Sequence, residues 1–150
     1  MAQLSHRIET YSKALLTFQS SIELHDNYKK NMRKPVEPQE EALLLATRDS
    51  MVQRFEYCTD LLWKLIKVYL EEFEKVTLES VSPRGVIRDA VKTRLISEQD
   101  GTLCLTMINK RNETSHIYHE EVAIDIARSL PDFYQLMERI VAAIKSKSGN

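Results

Sequence analysis

The sequence predicts an all-α protein, an up-and-down bundle of about five helices. Three observations predict it. Only three glycines and four prolines occur in 150 residues, too few to turn a set of short strands. Apolar residues recur at spacings of three and four along most of the chain, as one face of a helix requires. Prolines and an Asp-Gly pair separate those periodic runs. With 43% apolar and 29% charged residues, the chain has the composition of a soluble protein and the length for one domain with a real core.

The first run, Leu4, Ile8, Tyr11, Leu15, Phe18, Ile22 and His25, keeps an unbroken seven-residue repeat and predicts a helix from about Leu4 to Met32. Lys29, Lys30, Arg33 and Lys34 crowd its end, where positive charge favours the C-terminal end of the helix dipole; a binding patch is the other reading. Pro35 and Pro38 stop the helix. A second helix is predicted over Gln39 to Val76, with Leu45, Val52, Phe55, Leu62, Ile66, Tyr69 and Phe73 on its apolar face and Leu61 and Trp63 broadening it. Two long helices with a short Pro-containing link predict an antiparallel hairpin.

Ser82-Pro83 reads as an N-cap followed by proline at the first helical position. The helix after it should turn Val86, Ile87, Ala90, Val91, Leu95 and Ile96 to the core. Arg84, Arg88 and Lys92, four apart, make a basic stripe on its other face, either a solvated face or contacts for a phosphate backbone or an acidic partner. Asp100-Gly101 predicts a turn, with Thr102 capping a helix through Leu105, Met107 and Ile108. Val122, Ile126 and Leu130 resume helical spacing. Pro131 predicts a break, after which Phe133, Met137, Ile140 and Ile144 form a last apolar face. Residues 145–150 are polar and expected to fray. No linker divides the chain, so residues 1–150 are expected to form one helical domain.

Net charge is −1, so no global field draws in nucleic acid, and any RNA contact must rest on a local patch. Cys58 and Cys104 lack CxxC spacing and are expected as buried free thiols in a reducing compartment. No apolar signal core and no uncharged apolar span occurs, which predicts a cytoplasmic protein.

The densest chemistry lies in Met107 to Glu121, MINKRNETSHIYHEE. It gathers Arg111, Asn112, His116, Tyr118 and His119, and contains no Gly or Pro, so it should be helical or flank a helix within the folded core. Histidine exchanges protons near neutral pH, arginine grips phosphate through a planar fork, and tyrosine offers a hydroxyl and a stacking face. Such a set suits cleavage of RNA by its own 2′-hydroxyl, with no metal and no other cofactor. On one ideal helix Arg111 and His116 diverge by about 140°, so the helix must bend or end between them, or the two must meet across a cleft. Asn112 and His116 would share a face. Acid and base roles call for two groups, and a two-fold dimer would supply the second histidine. The competing reading is an interior network in which Arg111 pairs Glu113 or Glu120.

RNETSHIY, with Arg111, Asn112, His116 and Tyr118, resembles the R-x4-H-x-Y motif of the HEPN superfamily. With SPRGVIRDA at Ser82 to Ala90 and the apolar final helix, the chain, from its first helix to about Ile144, resembles the nucleotidyltransferase substrate-binding family within it. The resemblance implies a homodimeric helical bundle paired with a minimal nucleotidyltransferase, in many members as a toxin–antitoxin module. The HEPN protein is then a metal-independent endoribonuclease acting on RNA, silenced when its partner transfers AMP to the motif tyrosine. Carried over, Arg111 and His116 are catalytic, Asn112 supports them, and Tyr118 is modified. The alternative implied by the same family is a non-catalytic subunit that presents substrate to the nucleotidyltransferase.

Overall fold

Six of the seven seam positions on the first helix, Leu4, Ile8, Tyr11, Leu15, Phe18 and Ile22, are buried in the computed structural model, which describes residues 2–150. That helix, α1, spans Ala2–Lys30. The seventh position, His25, is half-buried and its Nδ1 lies 2.9 Å from Thr47 Oγ1. Thr47 gives its own proton to the Leu44 carbonyl, so Nδ1 of His25 is the donor of that bond. Burial lowers the pKa of His25.

Pro38 occupies the first turn of α2 (Pro38–Glu72), which returns antiparallel against α1 as the hairpin reading predicts. Val52, Phe55, Leu62, Ile66 and Tyr69 are buried on its inner face, together with Met51, Leu65 and Leu70. Leu45 and Phe73, predicted on that face, are instead exposed. They lie towards the two ends of α2, where the covering helices run out. Phe73 still stacks on Tyr69, with ring centroids 5.3 Å apart.

Ser82 caps α3 (Pro83–Lys92) as predicted, its Oγ accepting from the Gly85 N–H at 3.0 Å. The helix is shorter than the apolar spacing suggests. It closes with Arg94 in the left-handed region (φ 64°), and the N–H groups of Leu95 and Ile96 donate back to the Ala90 carbonyl. Leu95 and Ile96 are buried all the same, delivered by the turn rather than by the helix.

The predicted Asp100-Gly101 turn does not form. Ser97 accepts from the Asp100 N–H and starts α4 (Glu98–Glu113), so Gly101 lies in the first turn of that helix rather than before it. A Cβ at Gly101 would stand 2.5 Å from Val91 Cγ2. Glycine is required there for close approach of α3 to α4, not for a turn.

The expected break at Pro131 is also absent: α5 runs unbroken over Glu120–Ser148 with Pro131 inside. Proline removes one helical N–H, but Leu130 and Phe133 on either side are buried and hold the helix in place. Nor does the tail fray from Lys145. The helix continues to Ser148 and ends in a left-handed Gly149 whose N–H bonds the Lys145 carbonyl, while Ser5 on α1 donates to Asn150.

Buried apolar side chains from α1 to α5 form a common cluster. Its centre is aromatic: Phe55 of α2 stacks on Phe133 of α5 at 5.5 Å between centroids and lies 6.4 Å from Phe18 of α1. Cys58 and Cys104 are free and buried, and burial pushes both thiols up to about 12. Among the described residues, no helix is long and apolar enough to cross a membrane.

Candidate functional site

The junction of α4 with α5 carries the chemistry. α4 ends at Glu113, one 3-10 turn covers Thr114–His116, and α5 begins at Glu120 after His119. The helix therefore ends between Arg111 and His116, the first of the arrangements that the spacing allowed. Asn112 and His116 do not share one helix face, because the change of helix falls between them. The segment is also not interior. Asn112, His116, Tyr118 and His119 are exposed, and Thr114 is the buried member that anchors the turn.

Arg111 is half-buried in the last turn of α4. Its Nε and Nη2 donate to the two carboxylate oxygens of Asp60 on α2, each at 3.1 Å, and Nη1 lies 3.9 Å from Glu56. Nη1 also donates to Thr114 Oγ1 at 3.2 Å, while that hydroxyl donates to the Arg111 carbonyl at 2.7 Å. One buried hydroxyl thus closes the helix and steadies the guanidinium. Hydrogen bonding to Asp60, with its charge and that of Glu56, raises the Arg111 pKa further and keeps the fork charged.

The pairings expected of an interior network do not occur. Glu113 pairs with Lys110 at 3.6 Å, and Glu120 with Arg48 at 2.9 Å. Lys110 also bonds Asp125 on α5, and that contact raises its pKa. These bonds lash the ends of the exposed segment to α2 and α5, and leave its middle to solvent.

In that middle, Tyr118 is 73% exposed. His116 Nδ1 lies 3.5 Å from the Tyr118 hydroxyl, with the rings at 67° and 6.0 Å between centroids. The His119 ring also packs against Tyr118, tilted by 42° with 4.4 Å between centroids. Asn112 makes no side-chain hydrogen bond among the described residues and is free to meet a ligand.

The basic stripe joins this site at one end. Arg84 donates to the side chain of Asn109, two residues before Arg111, whereas Val91 near the other end of α3 faces Gly101. α3 and α4 therefore run antiparallel, and Arg84, Arg88 and Lys92 lead progressively away from the junction. Arg88 is exposed and unpaired among the described residues; Lys92 lies 3.8 Å from Glu79 and 3.9 Å from Asp89. Contacts this long neutralise an exposed Lys92 only weakly.

Sequence reasoning missed Asp60, Glu56 and Thr114. A signal for the first two was present: two acids four apart on a helix whose neighbours Phe55 and Thr59 are buried. Among the described residues no group of three His, Cys, Asp or Glu side chains is arranged to hold a metal ion.

An all-helical bundle whose α4–α5 junction carries an exposed histidine–tyrosine pair, following a carboxylate-held arginine in the last turn of α4, defines the class. The profile of the nucleotidyltransferase substrate binding protein like family matches residues 6–146, and the chain belongs to that family. It is also similar to a crystal structure of a protein from Thermus thermophilus, with 33% identity and a TM-score of 0.70 over 90% of this chain and 98% of that one. No curated protein sequence matches the chain.

Proposed function

We propose that this protein is the HEPN-type partner of a minimal nucleotidyltransferase and acts as a metal-independent endoribonuclease, the toxin of a toxin–antitoxin pair, silenced by AMP transfer to Tyr118. The observation that carries the reading is the 3.5 Å approach of the Tyr118 hydroxyl to His116 Nδ1 on an exposed segment. In this reading His116 moves the proton of the RNA 2′-hydroxyl or of the leaving 5′-oxygen, and Arg111 faces the phosphorane. A nucleotide esterified to Tyr118 would put a phosphodiester against the same imidazole and block it. The exposure of Tyr118 suits transfer by a second protein. Asn112 supports the site, and Arg84, Arg88 and Lys92 receive flanking phosphates. A homodimer would furnish the second histidine for acid–base work.

One observation favours a second reading. The Nε/Nη2 edge of the Arg111 fork already donates to Asp60, and Nη1 donates to Thr114. A held arginine fits a structural role in a non-catalytic subunit that presents substrate to the nucleotidyltransferase, a reading in keeping with the substrate-binding name of the family. Growth separates the readings. Induction of the wild-type chain without its partner should arrest growth, and induction of His116→Ala at matched level should not. Equal growth with soluble, unmodified wild-type protein would remove the nuclease reading and leave the subunit.

A further inference from the structure

A groove separate from the junction opens where the first turns of α1 meet the last third of α2. Its volume is about 480 Å³, and Arg7, Trp63, Lys64 and Lys67 line it, with Glu71 and Glu72 at one end. A contiguous hollow continues along α1 past His6 and shares Arg7. Lys67 is tied to Glu71 at 2.7 Å, so its charge is largely answered. Arg7 and Lys64 are not tied to any carboxylate among the described residues, and Arg7 is half-buried. Lys64 Nζ stands 5.9 Å from the centre of the half-buried Trp63 ring.

The position of the groove matters as much as its lining. Asp60, Lys64 and Lys67 follow one another at helical spacing on one face of α2, and Asp60 is the anchor of Arg111. The rise of a helix places Lys64 about 6 Å and Lys67 about 10 Å beyond that anchor. Lys64 and the neighbouring Trp63 indole thus continue along α2 beyond Asp60, away from Arg48, which holds Glu120 at the start of α5.

We infer that this groove is a single-stranded RNA subsite, in which Arg7 and Lys64 each hold a backbone phosphate and Trp63 stacks a base. An indole in one groove with cations free of carboxylate partners binds single strands without regard to sequence, because every base has a π-face and every nucleotide a phosphate. This supplies the local patch that a chain of net charge −1 needs for RNA. The choice of RNA as occupant rests on the nuclease reading above.

Trp63 is the sole tryptophan, so fluorescence excited selectively in tryptophan, beyond the absorption of the six tyrosines, reports on this groove. The probe is a 2′-O-methyl oligoadenylate of roughly ten nucleotides, a length within one single-strand site and resistant to 2′-hydroxyl cleavage. Its binding is followed both by Trp63 quenching and by polarisation of an end label. Quenching that tracks the polarisation curve is the expected result. The exposed or half-exposed pair Arg7→Gln/Lys64→Gln should weaken binding at least tenfold and lower the slope of log affinity against log salt by roughly 1.4, for two lost phosphate contacts. Trp63→Phe, which keeps an aromatic in the packing, should bind more weakly while retaining the wild-type salt slope. Binding without quenching, or unchanged in the double variant, overturns the subsite, and so does an absence of binding. If instead the double variant weakens only the complex with the nucleotidyltransferase, the groove is a protein interface and the inference falls. Cleavage of unmodified RNA by wild type, measured alongside, distinguishes the two claims: cleavage without the groove's involvement sinks this inference alone, and groove binding without cleavage sinks the nuclease alone.

Discussion

Asp60→Asn tests how the arginine of the site is held. The substitution preserves shape but removes the charge that accepts two bonds from Arg111, both at 3.1 Å. A charge-assisted bidentate pair in a shielded site contributes about 1.5–3 kcal/mol for each bond's charged partner. Here the side chains are 30% and 46% exposed, so solvent screens the pair and the expected coupling falls to about 1 kcal/mol. Glu56, at 3.9 Å, remains as a weaker partner and limits the loss. A double-mutant cycle with Asp60→Asn, Arg111→Gln and the combined variant, each measured by urea unfolding, isolates the pairwise term. With a slope of about 2 kcal/mol per molar urea, Asp60→Asn should lower the midpoint by about 0.5 M. A coupling energy indistinguishable from zero would refute the reasoning, because the fork would then be held by Thr114 and the helix alone.

Three other outcomes follow from the same structure. Gly101→Ala should destabilise the fold by about 1–3 kcal/mol in the same urea assay, since its Cβ would meet Val91 Cγ2 at 2.5 Å and a valine on a helix has little rotamer freedom to yield. Cys58 and Cys104 should resist a thiol reagent at pH 8 in the folded protein and react only on unfolding. Because the folded thiols keep their protons to about 12 while unfolded thiols ionise near 9, their contribution is complete below pH 9 and is lost as pH rises through that window, visible as a falling melting temperature. Tyr118→Phe should leave stability unchanged within about 0.5 kcal/mol, as the ring is 73% exposed, while abolishing nucleotide transfer by the partner enzyme, read as loss of the mass increment.

What could be read from the sequence was local. The repeat from Leu4 to Ile22 names a buried face because helix geometry alone decides it. Ser82-Pro83 names a cap because the partner N–H, Gly85, is three residues on. Two local signals misled. Asp-Gly marks turns, but Ser97 three residues before Asp100 captured its N–H and drew the pair into a helix. Pro131 marks helix ends, but burial of Leu130 and Phe133 against α1 and α2 outweighs one missing hydrogen bond. In the site, the residue types at Arg111, His116 and Tyr118 were legible, and so was the choice between a helix that bends or ends between the first two and a meeting across a cleft; the helix ends. The partner of Arg111 was not: Asp60 lies 51 residues away, and only the packing of α4 on α2 brings it there. Exposure of Asn112, His116, Tyr118 and His119 was equally hidden, since the flanking apolar residues suggest an interior that stops at Thr114.

The most direct test of the central claim is cleavage of a single-stranded RNA by purified protein in excess chelator. The account predicts cleavage by the wild-type chain leaving 2′,3′-cyclic phosphate ends, and none by folded Arg111→Ala or His116→Ala. Cleavage retained by either variant, or an inactive wild type carrying no nucleotide on Tyr118, would contradict it.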